Sequence, residues 1–557
     1  MIKSIKIFIV IFLCLVFYIE NTYAQDSYYH SPVDFPISLS GNVGEIRSNH
    51  FHTGLDIRGG GVVGAPVSSV ADGYVWRIFV SPYGFGNALY VKNSNGTTAV
   101  YGHLDRFISR IAAWVERQQY AKKSFSVDLY PPSTLFPVSR GEKIAYLGNS
   151  GASGGPHLHF ELRDARTMNP MNIGHQRIFN IVDKLPPVVR KIYLYQQDTV
   201  LGVPIFRLTS SIDVSRTKSG AVVLSDSVLN FDRPAYLAYQ TLDYKNGANF
   251  TMGIYSVNQR VNGATNFSYQ LDQISFATTR YANTLAEYDL NRKFRGDVIR
   301  AYISSNNLLN NYLADVNSGV ILPDCPYGRR KKVSTTFVDD NDNATTLNFY
   351  LERRKSTSAK LIPDKNVSIV EWNRDFVYSN DYMKVIIPAK TLYDTNLIPF
   401  SYDGKSYHIG DPSIPLQRYI TLYTIDLIEP RLRSKALFVT PSGASVGGYF
   451  DNGQMVLKIR NFGVYSIAYD TIKPTINMLK FGTNNRLAFK ITDNLSGIAS
   501  YQLMIDSEWA LAKYDPKTNS LVHHFIRKSD VIKERNVVLK VTDAKGNENI
   551  FKTKLQW

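Results

Sequence analysis

The sequence predicts an all-β protein of about four domains. At 557 residues the chain is too long for a single ordinary core. From about residue 180 onward, apolar and polar residues alternate in short segments, which is typical of half-buried strands. One stretch differs, because apolar residues recur every three or four positions from Ile108 to Val115. We therefore expect strands throughout the chain and a single prominent helix over residues 106–124.

The first 24 residues predict a secretory signal peptide. Lys3 and Lys6 precede an apolar run at 7–18, and a plausible cleavage site ends at Ala24. The run is too short to span a membrane comfortably, and no second run of spanning length follows. We expect an exported protein without a transmembrane anchor, located in the periplasm or cell envelope or freely secreted.

The remaining composition describes a basic chain with one cysteine. The formal net charge is +16, of which 1–24 contribute +1 and 25–180 contribute +3, so +12 lies downstream. Such a charge favours anionic surfaces, among them the cell wall. No nucleic-acid-binding module accompanies the basic residues, and we expect no nucleic acid partner. Removal of the signal peptide leaves only Cys325, which excludes an internal disulfide.

Histidines are concentrated in one part of the chain. Five of the ten lie in three short clusters between residues 50 and 159. In a strand starting at His157, alternation places His157, His159 and Glu161 on one face, which we expect to be wet. The opposite, buried face carries Leu158, Phe160 and Leu162. Imidazoles in a row on one face are unusual for a core and indicate a site.

The residue types at these clusters suit a catalytic zinc ion, which keeps three protein ligands and one open position. His52, Asp56 and His159 supply such a ligand set. His103 and His157 then remain without a metal to bind. Histidines beside a metal-activated water can move protons and stabilise an oxyanion, so the pattern predicts hydrolytic chemistry.

These motifs resemble the M23 (lysostaphin/LytM-type) metallopeptidases. The motifs in question are His52-x-x-x-Asp56, Tyr101-Gly102-His103-Leu104, the glycine-rich run 148–156 and His157-Leu158-His159. They occur in the family's order, and the resemblance covers roughly residues 35–175. It implies a LytM-type β-sheet peptidase domain with one zinc ion on His52, Asp56 and His159. His103 and His157 would then be catalytic, and the substrate would be a peptide of bacterial peptidoglycan.

Other functions stay open beside this interpretation. A non-catalytic regulator with the same fold would bind and activate other cell-wall hydrolases. Alternatively, the β-rich arms beyond residue 180 would bind the wall or an envelope protein and form the functional part. The glycines at 148–155 permit close approach of an extended substrate. A glutamate or lysine there would obstruct it.

The domain borders follow from the patterning. Residues 25–180 form the predicted peptidase domain, with an insertion at 106–140 in which an irregular loop follows the helix. Asp183 and Asp470 begin two segments with the same Asp-to-Pro spacing, each ending in a predicted hairpin. We expect 183–352 and 470–557 to be immunoglobulin-like β-sandwiches, the first with a large insertion, and 353–469 to be a third β-sandwich.

Three polar features have more than one interpretation. Arg47 either holds a carboxylate near the site, or the carboxyl group of the substrate, or is a surface charge. Asn42 or Asn49 could occlude the metal, although only 27 residues (25–51) precede His52 in the mature chain.

Residues 339–343 imitate the start of an EF-hand calcium loop. Ala344 and Tyr350 replace the required glycine and glutamate, so we predict a turn between strands.

Overall fold

The structure is a computed structural model that describes residues 28–217, 221–294, 296–355, 366–425, 428–479, 485–525 and 533–557. The predicted signal peptide at 1–24 lies outside the described residues. Strands dominate every part of the described chain, which confirms the all-β prediction. None of the helices in these ranges is both long and apolar enough to cross a membrane.

The N-terminal region (28–180) is built around one antiparallel sheet of eight strands that differ in length. In spatial order these are Leu39–Gly41, Leu55–Arg58, His157–Asp164, Thr97–Leu104, Asn87–Asn93, Gly73–Val80 and Val127–Leu129, with Pro137–Val138 also paired to Gly73–Val80. The region's other strands are Ile46–Arg47, His50–Phe51, Pro66–Ser68, Arg106–Phe107 and Lys143–Tyr146. The strand that carries His157 and His159 therefore lies inside the sheet, with a neighbour on each side.

The insertion at 106–140 is more ordered than the sequence indicates. Its helix is Ser109–Lys122, shorter than predicted because Arg106–Phe107 forms a strand and Lys123 adopts a left-handed conformation (φ 48°) that ends the helix. The expectation of an irregular loop at 125–140 is wrong in two places, since Val127–Leu129 and Pro137–Val138 both pair with the main sheet.

The first arm (183–355) contains two six-stranded sheets. Its strands are Val188–Val200, Val203–Arg216, Val222–Leu224, Val228–Phe231, Ala235–Tyr244, Thr251–Met252, Ser256–Val261, Ala264–Gln270, Asp297–Arg300, Tyr312–Asp315, Arg330–Val338 and Ala344–Arg353. Its helical segments are Thr279–Tyr281, Ala282–Leu285, Tyr288–Asn291 and Asn317–Gly319. The last two strands form the hairpin predicted around residues 339–343.

The second arm (366–469) and the third arm (470–557) each consist of two sheets. The second arm has the strands Val367–Val370, Phe376–Ser379, Met383–Ile387, Asn396–Tyr402, Ser406–Ile409, Pro415–Thr424, Ala436–Val439, Ser445–Gly447, Tyr449–Asp451, Gln454–Asn461 and Gly463–Tyr469, and the 3₁₀ segment Pro430–Lys435. The third has Thr475–Met478, Arg486–Thr492, Ile498–Ile505, Glu508–Trp509, Lys513–Asp515, Ser520–His524, Glu534–Asp543 and Glu548–Gln556. The immunoglobulin-like assignment and the domain borders stay predictions.

The N-terminal region and the first arm share one continuous apolar core, whereas the second and third arms each have their own. Backbone hydrogen bonds cross the junction, from Asn172 N–H to Asp272 O at 2.9 Å and from Ile274 N–H to Pro170 O at 3.0 Å. The Asn172 side chain is buried and donates to Leu271 O at 2.8 Å. The first arm therefore packs as a continuation of the N-terminal region.

The third arm returns to the N-terminal region. The Trp509 ring meets the Tyr120 ring edge to face, with centroids 5.4 Å apart. The Lys517 ammonium donates to the backbone carbonyls of Asn149 and Ser153, both within the glycine-rich loop. The end of the chain thus contacts both the insertion and the loop that precedes the histidine strand.

The shared core leads to a prediction about truncation. A chain ending after residue 180 leaves the buried amides of Asn42 and Asn172 without their partners in the first arm. Buried polar groups without partners cost roughly 1–3 kcal/mol each, and exposed core adds to this. We expect 28–180 to be insoluble or to melt at least ~10 °C below 28–355. Thermal unfolding of both fragments tests this, and equal melting temperatures would contradict it.

Candidate metal centre

Strand register assembles the centre. In the pairing of Leu55–Arg58 with His157–Asp164, Asp56 lies directly opposite His159. On the other side, Gly102 is the partner of His159, which places His103 at the adjacent position of the neighbouring strand. His52 enters from the segment just before Leu55. The structure thus brings together all five residues that the sequence predicts for the site.

Three of these residues present one atom each to a common point. The distances are 3.0 Å from His52 Nε2 to Asp56 Oδ1, 3.1 Å from His52 Nε2 to His159 Nδ1, and 2.9 Å from His159 Nδ1 to Asp56 Oδ1. The group is buried and could hold a metal ion. Two imidazole nitrogens and one carboxylate oxygen match the ligand types that zinc prefers.

The ring nitrogens of His52 and His159 that point away from the common point form hydrogen bonds with the protein. His52 Nδ1 donates to Asn42 O at 2.7 Å, and His159 Nε2 donates to Glu161 Oε1 at 2.8 Å. Each bond leaves the inward nitrogen lone pair available for a metal, which is the arrangement expected of histidine ligands. Arg47 Nη2 donates to Asp56 Oδ2 at 3.0 Å, so Arg47 holds a carboxylate of the site. The donor chemistry therefore fits a zinc ion.

Neither asparagine named above is turned towards the ligand atoms. The Asn42 side chain accepts a hydrogen bond from Gly253 N–H at 2.7 Å and donates to Asp340 Oδ2 at 3.3 Å. Asn49 Oδ1 accepts from Asn283 Nδ2 at 3.1 Å. Both amides contact the first arm, and the hypothesis that one of them occludes the metal is wrong.

The face expected to be wet is buried at His159 and Glu161, and only His157 is partly exposed. Glu161 is fully buried and accepts hydrogen bonds from Thr53 Oγ1 and Arg163 Nε, both at 2.5 Å, besides that from His159. The Arg163 guanidinium lies 4.6 Å from the Phe276 ring of the first arm. The first arm therefore contacts the row of polar side chains at its Arg163 end. The sequence alone did not indicate this contact. Arg163 itself could have been found, because it continues the alternation of His157, His159 and Glu161.

The buried charges are mutually compensated. Burial alone would raise the pKa of Asp56, but His52 together with hydrogen bonds from His157 and His159 holds it well below its usual value. Burial likewise opposes ionisation of Glu161, yet His159 and Arg163 lower its pKa to about 2. Although burial disfavours the charged imidazole, Asp56 and Glu161 raise the pKa of His159 to about 9. Without a metal, both nitrogens of His159 are thus protonated at neutral pH and the ring is positively charged.

The two remaining histidines stand side by side. His103 Nδ1 bonds to Ser150 O and His157 Nδ1 to Gly155 O, both at 2.8 Å, which leaves Nε2 of each ring for chemistry. Their ring centroids are 4.8 Å apart, and His157 Nε2 lies 3.4 Å from Asp56 Oδ1. Burial, reinforced by the neighbouring histidines, lowers the pKa of His103 to about 3. Without a metal, His103 is therefore a neutral imidazole at neutral pH.

The backbone of His103 is unusual. Its φ is 58°, a left-handed conformation that costs roughly 1–3 kcal/mol for most residues and is often found at functional sites. The His103 N–H donates to Phe85 O at 2.8 Å, and the Phe85 ring stacks on His159 with centroids 4.9 Å apart. Phe85 is a site residue that sequence reasoning missed, because an aromatic residue in a glycine turn has no distinctive spacing.

The glycine-rich loop has a packed end and an open end. A Cβ on Gly148 would lie 2.1 Å from Asp105 N, so this position requires glycine for packing. A Cβ on Gly154 or Gly155 would meet no atom within 4 Å. The last two glycines therefore border open space directly before the histidine strand.

Comparisons with known proteins agree with this geometry. Peptidase family M23 matches residues 50–123, which include His52, Asp56 and His103, and a Zu5-like domain matches residues 367–470. The DD-carboxypeptidase/endopeptidase Mpg of Neisseria meningitidis is 30% identical over 123 residues, 22% of this chain and 22% of that protein. The peptidoglycan DD-endopeptidase ShyB of Vibrio cholerae is 34% identical over 100 residues, 18% of each chain. The chain thus spans about a fifth of the length of these relatives.

Among solved structures, a zinc-containing peptidase from Vibrio cholerae is 26% identical over 25% of this chain and 35% of that chain, with a TM-score of 0.14. The catalytic domain of the M23 protein EnpA from Enterococcus faecalis is 23% identical over 26% of this chain and 84% of that chain, with a TM-score of 0.15. From the match to the family and the motifs described above, residues 50–123 belong to a domain of peptidase family M23.

Proposed function

We propose that the protein is a zinc-dependent endopeptidase that hydrolyses peptide bonds of bacterial peptidoglycan, in the stem peptide or in a cross-link. The observation that carries the proposal is the compact group of His52, Asp56 and His159 with two further histidines beside it. The name of one relative, the peptidoglycan DD-endopeptidase ShyB, supports the substrate class, and that of the DD-carboxypeptidase/endopeptidase Mpg supports the type of reaction. We place the reaction in the cell envelope, because the first residues have the pattern of an export signal.

In this mechanism His52, Asp56 and His159 would hold the zinc ion. When bound there, zinc would supply a Lewis acid that polarises a carbonyl and a water whose pKa is lowered to about 7. His103 and His157 divide the proton transfers between them: one removes the proton of the attacking water, and together they stabilise the oxyanion and protonate the leaving amine. Asn42 and Glu161 keep the ligand imidazoles oriented through their outward nitrogens.

The arms have a supporting role in this proposal. The excess of positive charge downstream of residue 180 suits binding to an anionic wall. Lys517 of the third arm contacts the glycine-rich loop that precedes the histidine strand. A wall-bound arm would therefore bring substrate peptides close to the site.

The first prediction separates metal binding from catalysis. His159→Ala removes a ligand, so both bound zinc and hydrolysis should be lost. His103→Ala should retain one zinc per chain while hydrolysis falls by at least ~100-fold, because a proton acceptor is missing. The measurement is zinc content of residues 25–557 together with release of free amines from purified peptidoglycan.

Normal turnover by the His103 variant would remove His103 from the mechanism. Bound zinc without any cleavage by the wild type would indicate an occluded site or the wrong wall substrate. Absence of both zinc and cleavage would favour the alternative function, a regulator that activates other wall hydrolases.

A second prediction concerns the open end of the glycine-rich loop. Gly155→Glu adds a charged side chain where the structure has free space, so folding and zinc content should be unchanged. If the substrate peptide lies along this loop, KM for wall peptides should rise at least ~10-fold. Gly155→Ala is the matched control and should retain activity. Equal kinetics for the glutamate and alanine variants would place the substrate elsewhere.

A third prediction concerns pH. In the metal-free protein the pKa of His159 is about 9, so the proton on this ring must leave before zinc can bind. Zinc affinity should therefore increase by up to ~10-fold per pH unit between pH 6 and 8, and calorimetry in buffers of different ionisation enthalpy should show about one proton released per zinc. In Glu161→Gln the pKa of His159 should fall, because Glu161 helps to raise it, so zinc affinity should depend less steeply on pH and fewer protons should be released per zinc. A pH-independent affinity would contradict this account.

A further inference from the structure

Carboxylates form two clusters outside the histidine centre, and all of their members are buried except Asp493, which is half-buried. In the first arm the cluster consists of Asp183, Asp243 and Asp339, and in the third arm of Asp470, Asp493 and Asp543. Within each cluster, one oxygen of every carboxylate lies within 4.8 Å of the others. The clusters occupy equivalent places, since each combines the first residue of an arm, a residue at the end of a strand and the first residue of the terminal hairpin turn.

The first-arm cluster is held by its own turn. Asp339 Oδ1 accepts hydrogen bonds from the N–H groups of Asn341 and Asn343 at 2.8 and 2.9 Å. The Asn343 amide donates both to Asp339 Oδ2 and to the backbone carbonyl of Asp183. The turn thus fixes the two aspartates relative to each other.

The third arm repeats this arrangement residue for residue. Asp543 Oδ1 accepts from the N–H groups of Lys545 and Asn547, both at 2.8 Å. The Asn547 amide donates to Asp543 Oδ2 and to the carbonyl of Asp470. The same hydrogen bonds occur in both arms. The hairpin turn therefore positions two of the three aspartates in each cluster.

The middle carboxylate of the first-arm cluster has no partner. Asp243 is fully buried, and neither of its oxygens has a hydrogen-bond donor among the described residues. A buried carboxylate in this state destabilises the fold, because it has lost its hydrogen bonds to water and forms none with the protein. Burial, together with the nearby aspartates, raises the pKa of Asp243 to about 8 when no further cation is present.

One ammonium group lies close to the cluster. Lys245 contacts Asp340, Asn341 Oδ1 at 2.6 Å and Asp183 Oδ2 at 3.2 Å. It can offset one of the four neighbouring carboxylates, those of Asp183, Asp243, Asp339 and Asp340. Three negative charges therefore stay uncompensated if all four groups are ionised, and a buried site tolerates this only with a further cation.

We propose that Asp183, Asp243 and Asp339 bind a calcium ion. Ligands that are all oxygen select a hard cation such as Ca²⁺ or Mg²⁺ rather than zinc. Oxygens bound to one Ca²⁺ at about 2.3–2.6 Å lie at most about 5.2 Å apart, which accommodates the spacing in the cluster. Calcium accepts irregular carboxylate ligation, whereas Mg²⁺ demands near-ideal octahedral geometry and keeps several waters.

This site differs from the EF-hand pattern that the sequence imitates at 339–343. An EF-hand takes its ligands from one loop of ~12 residues, and the substitutions at Ala344 and Tyr350 exclude that. Here the ligands come from three separate segments, and only Asp339 belongs to the imitated motif.

The proposed calcium site lies at the junction between the first arm and the N-terminal region. Asp183 begins the first arm, and Asp340, next to Asp339, accepts a hydrogen bond from the Asn42 amide of the N-terminal region. Asn42 in turn holds His52 through its backbone carbonyl. A calcium ion at this point would stiffen the junction on which a ligand of the metal centre depends.

The test uses the full mature chain loaded with zinc and freed of other cations. Titration with CaCl₂ should show binding in the wild type and one equivalent less in Asp243→Asn. Saturating CaCl₂ should raise the melting temperature of the unit formed by the N-terminal region and the first arm by at least ~3 °C. This rise should be absent in Asp243→Asn. Asp493→Asn, the matched change in the third arm, should retain it.

The asparagine variant keeps the shape of Asp243 and cannot ionise, so in calcium-free buffer it should melt at or above the wild-type temperature and thereby show that it is folded. Absence of calcium binding by the wild type, an unchanged rise in Asp243→Asn, loss of the rise only in Asp493→Asn, or an equal rise with MgCl₂ would each overturn the proposal.

Discussion

The metal centre depends on the register between the strands Leu55–Arg58 and His157–Asp164. Alternate side chains face opposite sides of a sheet, so a slip of one residue would turn Asp56 away from His159. The register is fixed from the other face, where Leu55 and Phe160 are fully buried in the core. Apolar packing on one side of the sheet therefore sets the distances between ligand atoms on the other.

The first arm completes this centre. It supplies Gly253 and Asp340 to hold Asn42, and Phe276 to cover Arg163 at the end of the polar row. Each contact acts on a residue that in turn holds a ligand or its carboxylate partner. A domain of family M23 is here embedded in a larger unit, and the orientation of the ligands relies on residues outside the matched segment.

Much of the centre could be predicted from the sequence, because histidines and an aspartate at fixed short spacings are rare outside metal sites. His52, Asp56 and His159 lie together in the structure, and the helical period at Ile108–Val115 does mark a helix. The contact of Phe276 with Arg163 at the end of the polar row could not be predicted, since Phe276 has no local relation to the strand.

Two further features were missed for different physical reasons. The left-handed backbone of His103 depends on a hydrogen bond to Phe85 that no local pattern encodes. The strands at 127–129 and 137–138 pair with a distant edge of the sheet, and neighbouring prolines conceal them in the sequence. In both cases a tertiary contact overrides what the local residues favour.

The return of the third arm has a consequence for the order in which the molecule is completed. Lys517 and Asn149 are 368 positions apart, and a ribosome makes the earlier residue long before the later one. The metal ligands and their loop are therefore present on the growing chain well before Lys517 reaches them. A newly made chain passes through a stage in which the glycine-rich loop lacks this neighbour, and full-length synthesis is what ends that stage.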